Sequence, residues 1–528
     1  MTDGGLKTRR SGGRKARVAA RQTQVPQEAA PVRPGLEGGR YKPLSERDLQ
    51  RIYDAALTLL ETIGMGSPIP TFIELVTEAG GTLTEAGRLI FPRSLVERAI
   101  DTAAKRLVVY GFDPANDLDI TGERVHFGTG GAAVHMYDPV QGGFAHSSLL
   151  DLYDLARLYH HMDHLNFFLR PIVARDMEGP RELDINTAYA VMSATTKPVA
   201  SSFFDPAHVG EVVEIADAML GDTGAFRKRP FLHAANTFVV PPLRYAEESC
   251  ECLVAQVRAG MMPMLVSAGQ AGATSPAALA GSLVQALAEC LSGLAIVNLI
   301  APGHPATMGL WPFVSDLRTG AMSGGSGEEA LLTAASAQIV NWLGLPSAQP
   351  AGMTDAKQPD NQAGYEKGVT VALTAAAGAN MIYESASMLA SILSSSKEAL
   401  VIDNDMLGMI NRTVRGIEVT DETLSIETIG AVVEGEGHFL GDRQTLSLMQ
   451  SEYLYPDVAN RLSIKEWDEA DRPQLLRDAQ ARVRDILTGY YPDHVSKSVH
   501  EAIRAKHPIR LPLEEIDGTT TRWLTQGA

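Results

Sequence analysis

The stretch Gly344-Leu-Pro-Ser-Ala-Gln-Pro-Ala-Gly-Met-Thr-Asp-Ala-Lys-Gln-Pro-Asp-Asn-Gln-Ala-Gly-Tyr-Glu366 passes from a short strand to a polar loop and on into a helix. Pro346 opens a small-residue strand that runs to Gly352. Met353 to Gln362 carries Thr, Asp, Lys and Gln around Pro359, too polar and too stiff for a core segment, and helical spacing starts at Ala363. In a parallel α/β protein such a loop lies at the carboxyl end of its strand, where ligands bind.

Outward from that stretch, the same beat of strand, loop and amphipathic helix recurs. Strands are predicted at Gly131–Met136, Phe167–Val173, Pro198–Phe203, Pro230–Asn236, Pro263–Ser267, Pro305–Trp311, Pro346–Gly352 and Met381–Ser385. Their spacing is that of a strand plus a crossover helix. Several open at or beside a proline, which suits a first strand position where a ladder donor is dispensable. Between them, Leu279, Leu283, Ala286, Leu287, Cys290, Leu291, Leu294 and Val297 trace one helical face. Eight such units predict an α/β fold of the (β/α)8 TIM-barrel type. An open doubly wound sheet is the alternative, but no Gly-x-Gly-x-x-Gly follows a first strand.

Around the barrel, predicted at residues 128–393, three further segments are expected. Residues 1–40 read as a disordered basic tail, with Arg9, Arg10, Arg14, Lys15, Arg17 and Arg21 and almost no large apolar side chain. Residues 41–127 read as an N-terminal helical cap with short strands around Leu107–Phe112 and Arg124–Phe127: Ser45 and Asp48 have N-cap spacing, and Leu49, Ile52, Tyr53, Ala56, Leu57, Leu60 and Ile63 form one face that stops at Gly64. Residues 394–528 read as a C-terminal extension packed on the barrel.

The formal charge of −17 over 528 residues argues against nucleic acid and anionic membranes as partners. Cys250, Cys252 and Cys290 include no Cys-x-x-Cys, so no disulfide framework or structural zinc site is read and a reducing cytoplasm fits. Neither a secretory h-region nor a free apolar span is read. A homo-oligomer is expected.

Candidate site residues are those at the carboxyl ends of the predicted strands. They include His135, Tyr137, Arg170, Phe204, Asn236, Phe238, Trp311, Asp355, Gln362, Tyr383 and Glu384. Asp316 to Ala321, containing Arg318, reads as a charge-paired loop before a helix starting at Glu328, able to hold an anion or a partner protein. His160 and His164 share a helix face, yet no third or fourth ligand is visible, so no metal site is assigned. Cys250 and Cys252 read as core packing. Neither a Gly-x-Ser-x-Gly elbow nor a Walker loop occurs.

Several motifs together resemble the trimethylamine:corrinoid methyltransferase family. They are Tyr41-Lys42-Pro43-Leu44-Ser45, Ala271-Gly272-Ala273-Thr274 with Leu279-Ala280-Gly281, and Arg318-Thr319-Gly320-Ala321. Asp355-Ala356-Lys357 through Asp360, Gln362-Ala363-Gly364-Tyr365-Glu366, and Gly437-His438-Phe439-Leu440 with Tyr455-Pro456-Asp457 complete the set. The resemblance spans Tyr41 to Arg461. It implies a TIM-barrel enzyme, a methyltransferase that passes a methyl group from a methylated amine to the Co(I) of a separate corrinoid protein docked over the barrel mouth. No tightly bound cofactor is then expected, the corrinoid (cobalamin) being supplied by the partner.

The family's founding trimethylamine enzymes use pyrrolysine inside the barrel, whereas every residue here is a standard amino acid. Members without pyrrolysine resemble glycine-betaine-type methyltransferases, so a quaternary amine is the expected substrate. Its fixed positive charge departs with the neutral amine, and in-line attack then asks for orientation and desolvation more than proton transfer. An aromatic cage with few charged groups near the methyls would suit that cation. Phe204, Phe238, Trp311, Tyr383 and Tyr137 are its candidates, with His135, Arg170 or Asn236 as donor to a substrate carboxylate. Arg318, Asp355 and Gln362 are expected to contact the corrinoid protein, and no catalytic residue is assigned. The alternatives are a methylcorrinoid:tetrahydrofolate-type methyltransferase and a non-catalytic barrel that binds methylated amines.

Overall fold

The computed structural model describes residues 30–525. Its centre is a closed ring of eight parallel strands: β1 (Arg124–Phe127), β2 (Phe168–Leu169), β3 (Val199–Ser201), β4 (Leu232–Asn236), β5 (Pro263–Ser267), β6 (Thr307–Leu310), β7 (Ala348–Pro350) and β8 (Met381–Tyr383). Parallel ladders join β2 through β6 in order, β7 to β8, and β8 back to β1. Two single bridges, Gly128 to Phe167 and Met308 to Ser347, complete the circle. The protein is a TIM barrel.

The first strand differs from the prediction at Gly131–Met136. Val125 and Phe127 turn outward into the helix layer, while His126 turns inward and bonds the Asn380 carbonyl at 3.1 Å. Arg124–Phe127 reads as a short strand from the sequence, but as part of the N-terminal cap, and the structure places it in the ring instead. His135–Asp138 instead pairs with Gly143–His146 as a hairpin and with Ser394–Ser395 alongside. That four-stranded sheet, with Met388–Leu389, is built from the loops after β1 and β8.

Close approach of β1 and β2 requires Gly128, because a Cβ there would lie 2.1 Å from the Phe167 ring. Gly128→Ala is expected to cost about 1–3 kcal/mol by overpacking. Gly143→Ala, in open space, should stay within about 0.5 kcal/mol of the parent. Denaturant midpoints of the two variants check this.

Each strand leads into a helix: α1 (Leu149–His160), α2 (Gly179–Ala194), α3 (Pro206–Leu220), α4 (Glu247–Ala259), α5 (Leu279–Ile300), α6 (Gly327–Trp342), α7 (Asn361–Ala376) and α8 (Lys397–Arg415). Helix α5 is long and apolar enough to cross a bilayer, yet 83% of its apolar window is buried. One side lies on β5 and β6; the other is covered by the helices Glu46–Thr62 and Arg93–Thr102. A helix packed on both sides is apolar all round for that reason. Ser45 caps the first of these covering helices through the Asp48 N–H.

At the amino end of the barrel, the hairpin of Val108–Val109 and Leu118–Asp119 closes the interior, its Val109 and Leu118 sharing a core with Met264 and Met381. The C-terminal helix Leu475–Gly489 lies against α1 and α8. Buried Arg157 donates to the Leu487 carbonyl at 2.9 Å, and Arg522 reaches Asp154 at 2.8 Å. Of the expected basic tail, residues 1–29 lie outside the described residues. Leu36–Glu37 pairs with β1 and is part of the fold.

Candidate active site

Inside the barrel the period-2 alternation of the strands puts Phe167, Leu169, Ala200, Met264, Val266 and Tyr383 on the inner face. Tyr383 is the centre of an aromatic group. Its ring centroid lies 4.6 Å from Phe167 and 6.0 Å from Trp311, in tilted contacts. The Tyr383 hydroxyl lies 3.0 Å from Nε2 of His233. Burial pushes the His233 imidazole down to about 3, so it stays neutral, and pushes the Tyr383 phenol far up. Trp311 donates its indole N–H to the Ala348 carbonyl at 2.9 Å, which ties the ring at the end of β6 to the start of β7.

Above that floor, the loops after β6, β7 and β8 are tied together by carboxylates. Asp355 accepts from the Gly324 N–H and the Ser323 hydroxyl, each at 2.8 Å, and from the Ser391 hydroxyl. Glu366 accepts from the Thr354 hydroxyl at 2.5 Å and from the Asp355 N–H and Gln362 amide at 2.8 Å. It lies so close to Gly325 that a Cβ there would come within 2.3 Å of it. Both carboxylates are fully used in holding loops.

Glu329 and Glu384 are not. Glu329, in the first turn of α6, is 1% exposed, and neither of its oxygens has a hydrogen-bond partner among the described residues. Burial, then the neighbouring charges of Glu384, Asp355 and Glu366, hold its carboxyl well above the usual range. Glu384 follows β8, is likewise 1% exposed, and its Oε2 has no partner among the described residues. Burial pushes it up to about 8. Buried carboxyls without partners are costly, and their neighbourhood is arranged to receive a cation or a proton.

Backbone strain accompanies them. Glu384, Ser387, Ala390, Ser391 and Ile392 all have positive φ, between 51° and 74°. Such residues cost about 1–3 kcal/mol each and cluster where function over-determines them. Here the segment is held by Ala390 N–H to the Ala356 carbonyl and Ser391 N–H to the Thr354 carbonyl, both 2.8 Å. Asp403 accepts the Ser387 N–H at 2.9 Å while paired to Lys367 at 2.6 Å.

The structure therefore brings Trp311, Tyr383 and Glu384 together at the carboxyl end of the barrel. His135 and Tyr137 lie in the small sheet beside it, His135 stacked on His146 at 5.5 Å and Tyr137 donating to Gln358 at 3.2 Å. Four predicted residues face elsewhere. Asn236 donates outward to the Ser249 carbonyl and Gln256 of α4, both at 3.0 Å. Phe238 packs in the helix layer against Gly293 and Tyr245. Phe204 is 52% exposed. Arg170 follows inward-facing Leu169; burial lowers its guanidinium to about 10 against the opposing charge of Asp184 of α2, and its Nη1 has no hydrogen-bond partner among the described residues.

Arg318 is exposed on the rim and paired to Asp316 at 2.8 Å; Gln362 is committed to Glu366. His160 bonds Thr195 and stacks on Tyr490, apart from His164, whose N–H goes to Asn404. Among the described residues no three His, Cys, Asp or Glu side chains are grouped to hold a metal. The strand-end rule missed Glu329 and His233. Glu329 sits where a glutamate ordinarily serves the helix dipole, and His233 lies mid-strand; only their inward direction sets them apart.

The model of the trimethylamine methyltransferase (MTTB) family matches residues 10–508. Trimethylamine methyltransferase MttB2 of Methanosarcina mazei is 32% identical over 482 residues, covering 89% of this chain and 95% of its own. A glycine betaine methyltransferase of Desulfitobacterium hafniense is 27% identical, covering 88% and 96%. Among solved structures, the monomethylamine methyltransferase MtmB of Methanosarcina barkeri aligns with a TM-score of 0.47 at 11% identity, over 85% of this chain and 89% of that one. With the family's pattern running through nearly the whole barrel and its flanking segments, this chain belongs to the trimethylamine methyltransferase family.

Proposed function

We propose that the protein removes a methyl group from a quaternary ammonium compound and delivers it to a Co(I) corrinoid carried by a separate protein seated over the barrel mouth. The observation that carries this reading is a pair of buried carboxyls, Glu329 with both oxygens and Glu384 with Oε2 unpartnered among the described residues, Glu384 directly following Tyr383 of the aromatic group. A fixed cation satisfies both features at once: aromatic faces attract it, and a buried carboxylate becomes its counter-ion. The cage foreseen from sequence was nearly uncharged. The proposed site is aromatic on one side and acidic on the other.

The corrinoid would supply the nucleophile that accepts the methyl. The chain's own residues orient the ammonium and exclude water, and His233, neutral and bonded to Tyr383, takes no part as an acid. The C–N electron pair then departs on nitrogen as a neutral amine. A protein-borne acceptor fits the rim, where Leu317, next to Arg318, and Leu393, in the loop after β8, are 68% and 58% exposed. Arg170 and Asn236, two expected donors to a substrate carboxylate, turn outward, so ammonium compounds with and without a carboxylate both belong in the test.

The test is cobalt methylation, followed by the visible spectrum of a corrinoid partner, with glycine betaine, carnitine, choline and trimethylamine compared. Turnover of a quaternary compound and not of trimethylamine is expected. Turnover of trimethylamine alone overturns the reading, and turnover of none with a competent Co(I) partner favours the folate-linked or non-catalytic alternatives. Trp311→Ala is expected to weaken substrate binding severalfold to about thirtyfold, an aromatic face being worth about 0.5–2 kcal/mol to a desolvated cation. Trp311→Phe should keep the fold and recover part of the loss, while Phe204→Ala should leave binding unchanged; calorimetric titration separates the three.

A further inference from the structure

The acidic side of the proposed cation site holds more charge than one ammonium needs. Glu384 stands where three strand ends meet: a Cβ on Gly130, after β1, would come within 3.0 Å of its Cγ, and one on Gly352, after β7, within 2.8 Å of its carbonyl oxygen. The side chain is thus packed closely while its Oε2 makes no bond among the described residues. Glu329 enters from α6, where the helix uses only its backbone: its N–H donates to the Ser326 hydroxyl at 3.2 Å, and its carbonyl accepts from Thr333 at 2.8 Å. The carboxyl is left over, with neither oxygen partnered among the described residues. Asp355 and Glu366, tied into the same loops, add their charges to that of Glu384 beside it.

One fixed cation offsets one carboxylate. A ligand with a carboxylate of its own would bring a further negative group against the remaining carboxyl, Asp355 and Glu366, and like charges juxtaposed out of water repel strongly. Such a ligand needs a basic partner. The loops that follow the eight ring strands contain five Lys and Arg side chains, Arg170, Arg175, Arg244, Arg318 and Lys357. Each is engaged or placed elsewhere. Arg318 is paired to Asp316 on the rim, Lys357 donates to the Asp355 carbonyl at 2.6 Å from an exposed position, and exposed Arg175 bonds His146. Arg244 is exposed on a turn bridged to Gly66 of the N-terminal segment. Arg170 stands opposite Asp184, which accepts the Phe204 N–H and lies 2.7 Å from His208. Lys367, in α7, belongs to Asp403.

On the quaternary-ammonium reading, on which this rests, we infer that the site selects ammonium ions without a carboxylate, such as ammonium alcohols, over betaines, and that Glu329 sets this preference. The two carboxyls face the ammonium together. The excess of negative charge that favours a net cation acts against a ligand whose own carboxylate lies one methylene from nitrogen. An alcohol meets no such barrier, because a hydroxyl can donate to either carboxyl. The discrimination comes from a repulsive element built into the site.

Calorimetric titration of the full chain at about pH 7 tests this without a corrinoid, using choline, tetramethylammonium, glycine betaine and glycine betaine methyl ester. The ester nearly keeps the size of the betaine and removes its negative charge. Glycine betaine is expected to bind roughly thirtyfold to a hundredfold more weakly than its ester, as for two like charges several ångströms apart at an effective dielectric constant of about 20. Choline and tetramethylammonium should bind in the range of the ester. Glu329→Gln should narrow the gap between betaine and ester at least about fivefold. A betaine that binds as tightly as its ester overturns the inference and leaves the quaternary-ammonium reading standing. A gap that folded Glu329→Gln leaves unchanged overturns the assignment to Glu329. Binding of none of these compounds overturns inference and reading together. The comparison among ligands uses the parent protein alone, so it decides the matter even where the variant fails to fold.

Discussion

Glu384→Gln is expected to weaken binding of a quaternary ammonium substrate by about 2–5 kcal/mol, roughly thirtyfold to several thousandfold. The substitution keeps the shape of a side chain that is 1% exposed and removes only the charge that the cation would neutralise. Neighbouring Glu329 would remain to take up part of the role, which is why the range extends down to about 2 kcal/mol. Calorimetric titration measures it; a loss under about threefold would show that the cation does not sit against this carboxyl.

The pH dependence carries a matching signature. Burial raises the Glu384 carboxyl from its ordinary 4.5 to about 8, so the folded, empty protein keeps the proton that the unfolded chain releases near 4.5. The associated stability is fully present below about 4.5 and is lost as pH rises through about 8. Glu384→Gln removes that slope and should be the more stable form above pH 8. Binding runs the other way: a cation favours the ionised carboxyl, so affinity for the ammonium should rise as pH passes 8 in the parent protein and stay flat in Glu384→Gln. A parent protein with pH-independent binding between 6 and 9 would contradict the assignment.

Lys367→Ala is expected to destabilise the fold by about 3–5 kcal/mol, because it leaves Asp403 as a buried charge without its counter-ion. Lys367 and Asp403 have side chains 1% and 7% exposed and meet at 2.6 Å. Asp403 also holds the N–H of Ser387 in the positive-φ loop beyond β8. Turnover should thus fall further than the unfolded fraction explains. Lys367→Met with Asp403→Leu should recover part of the stability, though not the turnover, since the Ser387 N–H still lacks its acceptor. Urea unfolding beside steady-state rates distinguishes the two losses.

The strand-and-helix beat was legible because each buried parallel strand is a short apolar run bounded by proline, glycine or polar turns, and seven of the eight ring strands lie within predicted runs. The eighth, β1, reads as a strand of the cap and not of the ring: it is short and has a histidine facing inward, where the Asn380 carbonyl satisfies it. A contact partner 254 residues away leaves no local trace. The hairpin at His135–Asp138 was mistaken for a ring strand because its pairing partner, Ser394–Ser395, arrives from the far end of the barrel.

What the sequence determined by itself is the alternation of elements, hence the barrel, and the end of the barrel where chemistry gathers; both follow from local periodicity and from the fixed hand of parallel crossovers. Tertiary structure alone decided which strand-end side chains look inward. Asn236 and Phe238 point to the helices while Trp311 and Tyr383 join the inner aromatic group, although all four stand near strand ends. A shift of one residue exchanges the two faces of a strand, and register is set by partners distant in the chain. The same holds for Glu329 and Glu384: each reads as an ordinary glutamate, and only burial in the fold leaves both Glu329 oxygens and Glu384 Oε2 without partners among the described residues.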